Sequence, residues 1–365
     1  MTSLDNHLIY IFYSVLFKKK IPKFFNTCNN SNIRNLIQNT KNLPKTQSFI
    51  IPQNSIPLHF KNNTLNTTKT ITGFHPKNKH HGKYDFKTLI AANPDLAPFV
   101  AINEFGTETI DFANPDAVKM LNKALLLHYY GLKNWDIPKG FLCPPIPGRA
   151  EYIHQVADVL ADTYGTIQTK HKIRILDVGI GANCIYPIIG VAEYDWRFVG
   201  SEIDKQAFEA AQENINSNQK LKENVALRLQ TSKRNIFKNI VLPEDQFDMT
   251  ICNPPFHSSK EEANKGTIRK NKNLGIEDSK KPTLNFGGVN NELWCEGGEL
   301  TFISNMIYES VHFKAQVKWF SSLVSKKDNL KPLLSHLKKV KATNQITEMK
   351  HGNKVSRILF WTFKE

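Results

Sequence analysis

The run Ile173-Arg174-Ile175-Leu176-Asp177-Val178-Gly179-Ile180-Gly181-Ala182-Asn183 constrains the fold of this 365-residue chain more than any other. Its first half reads as a buried strand, and the glycines that follow let the backbone turn and come close to a ligand. A helical stretch precedes it, Ala150 to Tyr164, with Ile153, Val156, Val159 and Leu160 at helical spacing. Strands are expected after it at Arg197 to Ser201, Val225 to Leu229, Phe247 to Cys252 and Gln316 to Leu323. Helices at Asp204 to Asn216 and Glu299 to Ser310 stand between them. That alternation predicts an α/β fold with a mostly parallel sheet covered by helices on both faces. A short helix, Asn329 to Val340, and two strands around His351-Gly352-Asn353 within Ile346 to Phe363 predict a C-terminal hairpin that adds an antiparallel strand.

Three segments are expected. Residues 1–72 are crowded with Asn, Thr and Lys, show no sustained period and read as a mostly disordered basic extension. Residues 73–150 contain helical material such as Asp116 to His128 and read as a small helical subdomain, leaving 151–365 for the α/β domain. The net charge is +15, of which residues 1–72 supply +8, so half of the positive field lies outside the α/β domain. Such a balance favours a polyanionic partner.

Five scattered cysteines without a C-x-x-C pair suggest neither a disulfide framework nor a metal site, which fits a reducing, cytoplasmic setting. The apolar run Leu8 to Phe17 falls well short of the roughly 20 residues that span a bilayer, so no membrane partner is expected.

Asp177-Val178-Gly179-Ile180-Gly181 has Cys184 where a dinucleotide fingerprint needs its third glycine, and its acid precedes the glycines. It resembles the D-x-G-x-G of class I methyltransferases. One strand later, Glu202 in Val199-Gly200-Ser201-Glu202-Ile203-Asp204 is placed at a strand tip to accept bonds from two ribose hydroxyls, while Asp204 reads as a helix cap. The most specific motif is Asn253-Pro254-Pro255-Phe256, directly after the strand Phe247 to Cys252. Methylating a planar amine requires acceptors that hold the NH₂ and aim its lone pair at the methyl donor. The Asn253 side-chain oxygen and the Pro254 carbonyl can do so, Pro255 stiffens the loop, and Phe256 offers a stacking face. Ser258 to Lys281, with seven Lys/Arg against four acids, reads as a flap that meets phosphate. His80 and His154 are expected to pack, because this chemistry needs no imidazole; Trp294 is expected in the core or stacked on RNA.

From about His75 onward the chain resembles the bacterial 23S rRNA adenine-N6 methyltransferases and, more distantly, eukaryotic enzymes that methylate spliceosomal RNA. The resemblance rests on His75-Pro76-Lys77-Asn78-Lys79-His80, Asp111-Phe112-Ala113-Asn114-Pro115, Leu142-Cys143-Pro144-Pro145-Ile146-Pro147-Gly148-Arg149 and Asn253-Pro254-Pro255-Phe256. Asn285-Phe286-Gly287-Gly288 and Glu292 to Glu299 add to it. It implies a class I, Rossmann-like methyltransferase fold with a seven-stranded sheet. It also implies S-adenosylmethionine as cofactor and one methylated adenine, position 1618 in the usual bacterial rRNA numbering. Arg149, Gly179, Glu202 and Asn253 match cofactor-binding or active-site positions of that family, and Arg149 suits the methionine carboxylate. Asp177 and Gly181 complete the cofactor set. The expected partner is 23S rRNA or a large-subunit assembly intermediate, bound by a monomer. Guanine-N2 or protein-glutamine methylation and a non-catalytic RNA-binding assembly factor remain the alternatives.

Overall fold

Along the central strands, adjacent side chains go to different cores. Ile175 and Phe198 belong to one apolar cluster and their neighbours Leu176 and Val199 to the other. This period of two is what a sheet buried on both faces imposes. The computed structural model describes residues 66–164, 172–259, 262, 293–351 and 354–363. The expectations for residues 1–65, for Asn285 to Gly288 and for most of the 258–281 flap lie outside the described residues.

Eight strands form the main sheet in the order β1-β9-β10-β8-β7-β4-β5-β6. Its parallel block is β4 (Arg174–Val178), β5 (Arg197–Glu202), β6 (Val225–Leu229), β7 (Phe247–Cys252) and β8 (Val317–Val324). β10 (Lys354–Thr362) runs antiparallel to both β8 and β9 (Thr343–His351), which is the expected C-terminal hairpin. The order turns back between β4 and β7, and an α/β sheet opens its ligand crevice at the carboxyl ends of strands at such a point.

Two boundaries differ from expectation. The sheet has eight strands rather than seven, because β1 (Thr67–Thr72) adds to its edge parallel to β9. Those six residues were expected to belong to the disordered extension; backbone pairing with β9 orders them although hardly any of their side chains is buried. The 150/151 boundary falls inside helix α3 (Ile146–Tyr164), which follows α1 (Phe86–Ala92) and α2 (Pro115–Tyr130). The N-terminal helices share a core with one sheet face, where Leu89, Leu125, Trp135 and Ile153 join Ile175 and Phe198, and Asn63–Glu365 forms one compact unit. Helices α4 (Ile185–Tyr194), α5 (Lys205–Asn216) and α6 (Gln219–Asn224) pack into that same core, while α7 (Gly298–Ser310) and α8 (Leu330–Lys339) cover the other face.

Candidate active site

The two sequence motifs leave adjacent strands, β4 and β7, at the same edge of the sheet. In the loop after β4, Gly179 (φ +73°) and Gly181 (φ +65°) take left-handed conformations that disfavour a side chain. The N–H groups of Gly179 and Ile180 both donate to the Ser201 carbonyl, at 3.0 and 2.9 Å. Gly200 makes room beneath them, since a Cβ there would stand 2.4 Å from the Ile180 Cδ1. Farther along, the Ala182 carbonyl accepts from Asn214 Nδ2 (3.1 Å) and the Asn183 carbonyl from Trp135 Nε1 (2.9 Å). Neither partner was expected at the site. They are far away in sequence, and nothing local marks them.

Glu202 is buried and raises its own pKa through that burial, yet it is well solvated by backbone. Its Oε2 accepts from Gly181 N–H at 2.9 Å, and its Oε1 from Ile203 and Asp204 N–H at 2.8 and 2.9 Å. A carboxylate offers about four acceptor positions, so roughly one remains for a ligand hydroxyl. Asp204 caps α5 as expected, accepting from Gln206 and Ala207 N–H. Asp177 is the opposite case: it is fully buried, and neither carboxylate oxygen has a hydrogen-bond partner. Burial, with the nearby Glu202 charge adding to it, lifts its pKa well above the carboxylate range, and Arg149 opposes that rise.

In the loop after β7, Asn253 Oδ1 accepts from Arg149 Nη1 at 2.9 Å, and the same nitrogen donates to the Tyr186 hydroxyl at 2.9 Å. Arg149 lies in the first turns of α3 and is brought across from 104 residues away. The strand end beneath is fixed by Tyr152, whose hydroxyl lies 2.8 Å from Ser321 Oγ and accepts from Cys252 N–H at 3.3 Å. Beyond the motif, His257 is tied on both sides to the segment leading into α7: its N–H donates to the Leu293 carbonyl (3.0 Å), and its carbonyl accepts from Cys295 N–H (3.1 Å).

Arg149, Gly179, Gly181, Glu202, Asn253 and Pro255 line one cleft. Asp177 and Pro254 are buried outside that lining, and Phe256 is half-buried and also outside it. Lys233, Arg234 and Pro255 also line a second, wider cleft, together with Trp294, Tyr308 and His312. Trp294 is thus half-buried at a cleft wall. His80 and His154 pack away from the site, bonded to the hydroxyls of Tyr130 and Tyr194, and burial holds each imidazole down at about 4.

Residues 68–365 match the model of an RNA methyltransferase family. A ribosomal RNA large subunit methyltransferase F of Flavobacterium johnsoniae is 55% identical over 293 residues, 79% of this chain and 93% of that protein. The protein of the same name from Pseudomonas entomophila is 52% identical, over 80% of this chain and 93% of its own length. Among solved structures, the human METTL16 catalytic domain in complex with a MAT2A 3′UTR hairpin aligns with a TM-score of 0.66 at 30% identity, covering 80% of this chain and 96% of that one. The N-terminal domain of human METTL16 in complex with SAH aligns at 0.64 and 28%, covering 81% and 100%. On sequence and fold together, the chain belongs to the RNA methyltransferase family.

Proposed function

We propose that this protein transfers a methyl group from S-adenosylmethionine to the N6 amine of one adenine of 23S rRNA, the adenine at position 1618. The observation that carries the reading is the joining of Asn253 to Arg149 at the sheet's switch point, in the cleft that the glycine loop and Glu202 also line. The relatives' names give the RNA class.

The residues fit the cofactor. Gly179 has open space where a Cβ would stand, so a ligand can lie against its backbone. Glu202 keeps an acceptor position for a ribose hydroxyl. Asp177 has two orphaned oxygens, and a buried carboxyl without a partner is costly until a donor or a cation reaches it, as the methionine ammonium would. Arg149 carries further donors for the methionine carboxylate.

Bound S-adenosylmethionine supplies an electrophilic methyl on a sulfonium, so no side chain need form a covalent bond. Asn253 Oδ1 and the Pro254 carbonyl accept the two N6 hydrogens and turn the nitrogen lone pair toward the cleft. The Arg149 bond fixes which way the Asn253 amide faces. Pro255 restricts the backbone, and Phe256 stacks on the extruded base. Catalysis is then positioning: the new N–C bond forms as the old S–C bond breaks, and the amine sheds its proton afterwards.

The basic loop 258–281 and the lysine-bearing parts of the segment 73–150, on either side of residues 88–118, share the grip on rRNA or on an assembly intermediate, with the protein acting as a cytoplasmic monomer. Among the described residues no helix is long and apolar enough to cross a membrane. The test is methyl transfer from labelled S-adenosylmethionine to unmodified 23S rRNA and to large-subunit precursors, followed by digestion to nucleosides. N6-methyladenosine at one site is expected. N2-methylguanosine, or transfer to protein alone, would replace the reading.

A further inference from the structure

Outside both clefts the molecule carries a surface whose chemistry runs against the rest of the chain. Between Thr88 and Val118 there are five acidic residues, Asp95, Glu104, Glu108, Asp111 and Asp116, and no lysine or arginine, in a chain of net charge +15. All five are exposed, and none makes an ion pair among the described residues. Within this stretch stands a two-stranded hairpin, β2 (Val100–Ile102) and β3 (Glu108–Ile110).

The hairpin is apolar at its outer end as well as acidic. Val100 and Ile110 face each other across the two strands and root one face in the core, where Ile110 is buried. Two residues on, the same face carries Ile102 opposite Glu108, and Ile102 is 73% exposed. Phe105 at the tip is 81% exposed, and Phe112, just past β3, is 47% exposed. A lone exposed apolar residue needs no explanation, but Ile102 and Phe105 on the hairpin and Phe112 just past it are three large ones within eleven residues, and such clustering marks an interaction surface.

The tip is held in place. Asn103 Oδ1 accepts from the N–H groups of Phe105 and Thr107, each at 3.0 Å, and the Asn103 carbonyl accepts from Gly106 N–H at 2.9 Å. Gly106 takes the left-handed conformation that this turn requires, and Lys83 donates to Thr107 Oγ1. An aromatic already fixed in position loses little freedom on binding. An exposed aromatic could stack on a base, but the carboxylates flanking it repel phosphate.

We infer that the β2–β3 hairpin is a docking surface for a lysine- and arginine-rich protein, with Phe105 and Ile102 as apolar anchors and Glu104, Glu108 and Asp111 as the charged rim. A protein that works on ribosomal RNA meets such partners among the ribosomal proteins; the choice of probe rests on the proposed function, the surface itself does not.

The test titrates the full chain with individual RNA-free large-subunit ribosomal proteins and with protein-free 23S rRNA. It compares wild type with Phe105→Ser/Ile102→Ser and with Glu104→Lys/Glu108→Lys. At least one basic protein is expected to bind, and both double variants to weaken it by about tenfold or more, as loss of a central aromatic anchor does. Affinity for protein-free rRNA should hold in Phe105→Ser/Ile102→Ser and rise, not fall, in Glu104→Lys/Glu108→Lys, where phosphate-repelling charge is removed, and the melting temperature should stay unchanged. Three results overturn the inference: no basic protein binds, the variants bind it as wild type does, or the variants lose rRNA affinity or a wild-type self-association instead. Failure of adenine methylation with the protein binding intact would sink only the proposed function.

Discussion

The loop after β4 and the loop after β7 leave neighbouring strands and face one cleft, yet they are secured in different ways. The glycine loop is fastened along its length by buried bonds to Ser201, Glu202, Asn214 and Trp135. The Asn-Pro-Pro-Phe loop relies on proline stiffness, on Arg149 at its start and on the backbone pairing of His257 at its end. Every buried backbone group in the first loop that has a partner helps to preform the loop, which lowers the ordering cost of the cofactor binding proposed for it. The second loop leaves Asn253 and Phe256 half-buried, which suits the planar substrate proposed for it. Cofactor binding and amine positioning should therefore separate by mutation.

The sharpest break is Asn253→Ala. Removing the acceptor on the amine should lower kcat by about 10²–10³, the scale seen when one positioned polar group is lost from a reacting centre. Arg149 keeps its Tyr186 partner, so the S-adenosylmethionine Kd should move by less than about tenfold. Rapid-quench methyl transfer with separate calorimetry of cofactor binding reads both numbers. A cofactor affinity that collapses while turnover at saturation survives would erase the distinction between the two loops.

Gly200→Ala attacks the other loop. Its new Cβ would press on Ile180 from 2.4 Å, and overpacking of this kind costs about 1–3 kcal/mol. Because Ile180 sits between the two cofactor-loop glycines, cofactor affinity should fall along with the melting temperature, with kcat at saturation nearly kept. Thermal melts with and without cofactor would show it, since the ligand-induced rise in Tm should shrink. A variant that loses kcat alone would contradict the assignment.

What could be read in the sequence and what could not divides along the same physical line. The D-x-G-x-G turn, the acidic tip at Glu202, the Asn253 motif and the C-terminal hairpin are written in local pattern: apolar runs of strand length, glycines where backbone must turn, a polar residue fixed between a strand and prolines. The pins are not. Arg149 meets Asn253 across 104 residues, and Trp135 reaches Asn183 across 48, so only the folded chain shows that they touch. β1 escaped for a different reason. Thr67-Thr68-Lys69-Thr70-Ile71-Thr72 buries almost nothing, and edge pairing through backbone leaves no alternation to detect beyond the β-propensity of threonine. Glu202 lines the cleft, but its three backbone donors, which narrow what it can offer a ligand hydroxyl, depend on loop geometry that no spacing encodes.

Asp177→Asn gives the smallest effect and the finest test of how the cradle is charged. Burial raises the Asp177 pKa well above that of the same carboxyl in the unfolded chain. The native state thus holds a proton that the unfolded state gives up as pH passes the ordinary carboxylate range. Native stability from this group is complete below that range and declines as pH rises through it toward the raised value. Without cofactor, the Asn variant should accordingly melt higher than wild type at pH 7, with the gap closing as pH falls through the ordinary carboxylate range. Cofactor should reverse the order: if the methionine ammonium meets Asp177, wild type must release the proton on binding, its affinity must rise with pH, and the Asn variant must lose that dependence. Calorimetry in buffers of different ionisation enthalpy counts the proton directly. Equal proton release by wild type and variant would remove Asp177 from the cofactor's ammonium and leave its two orphaned oxygens as a purely structural cost.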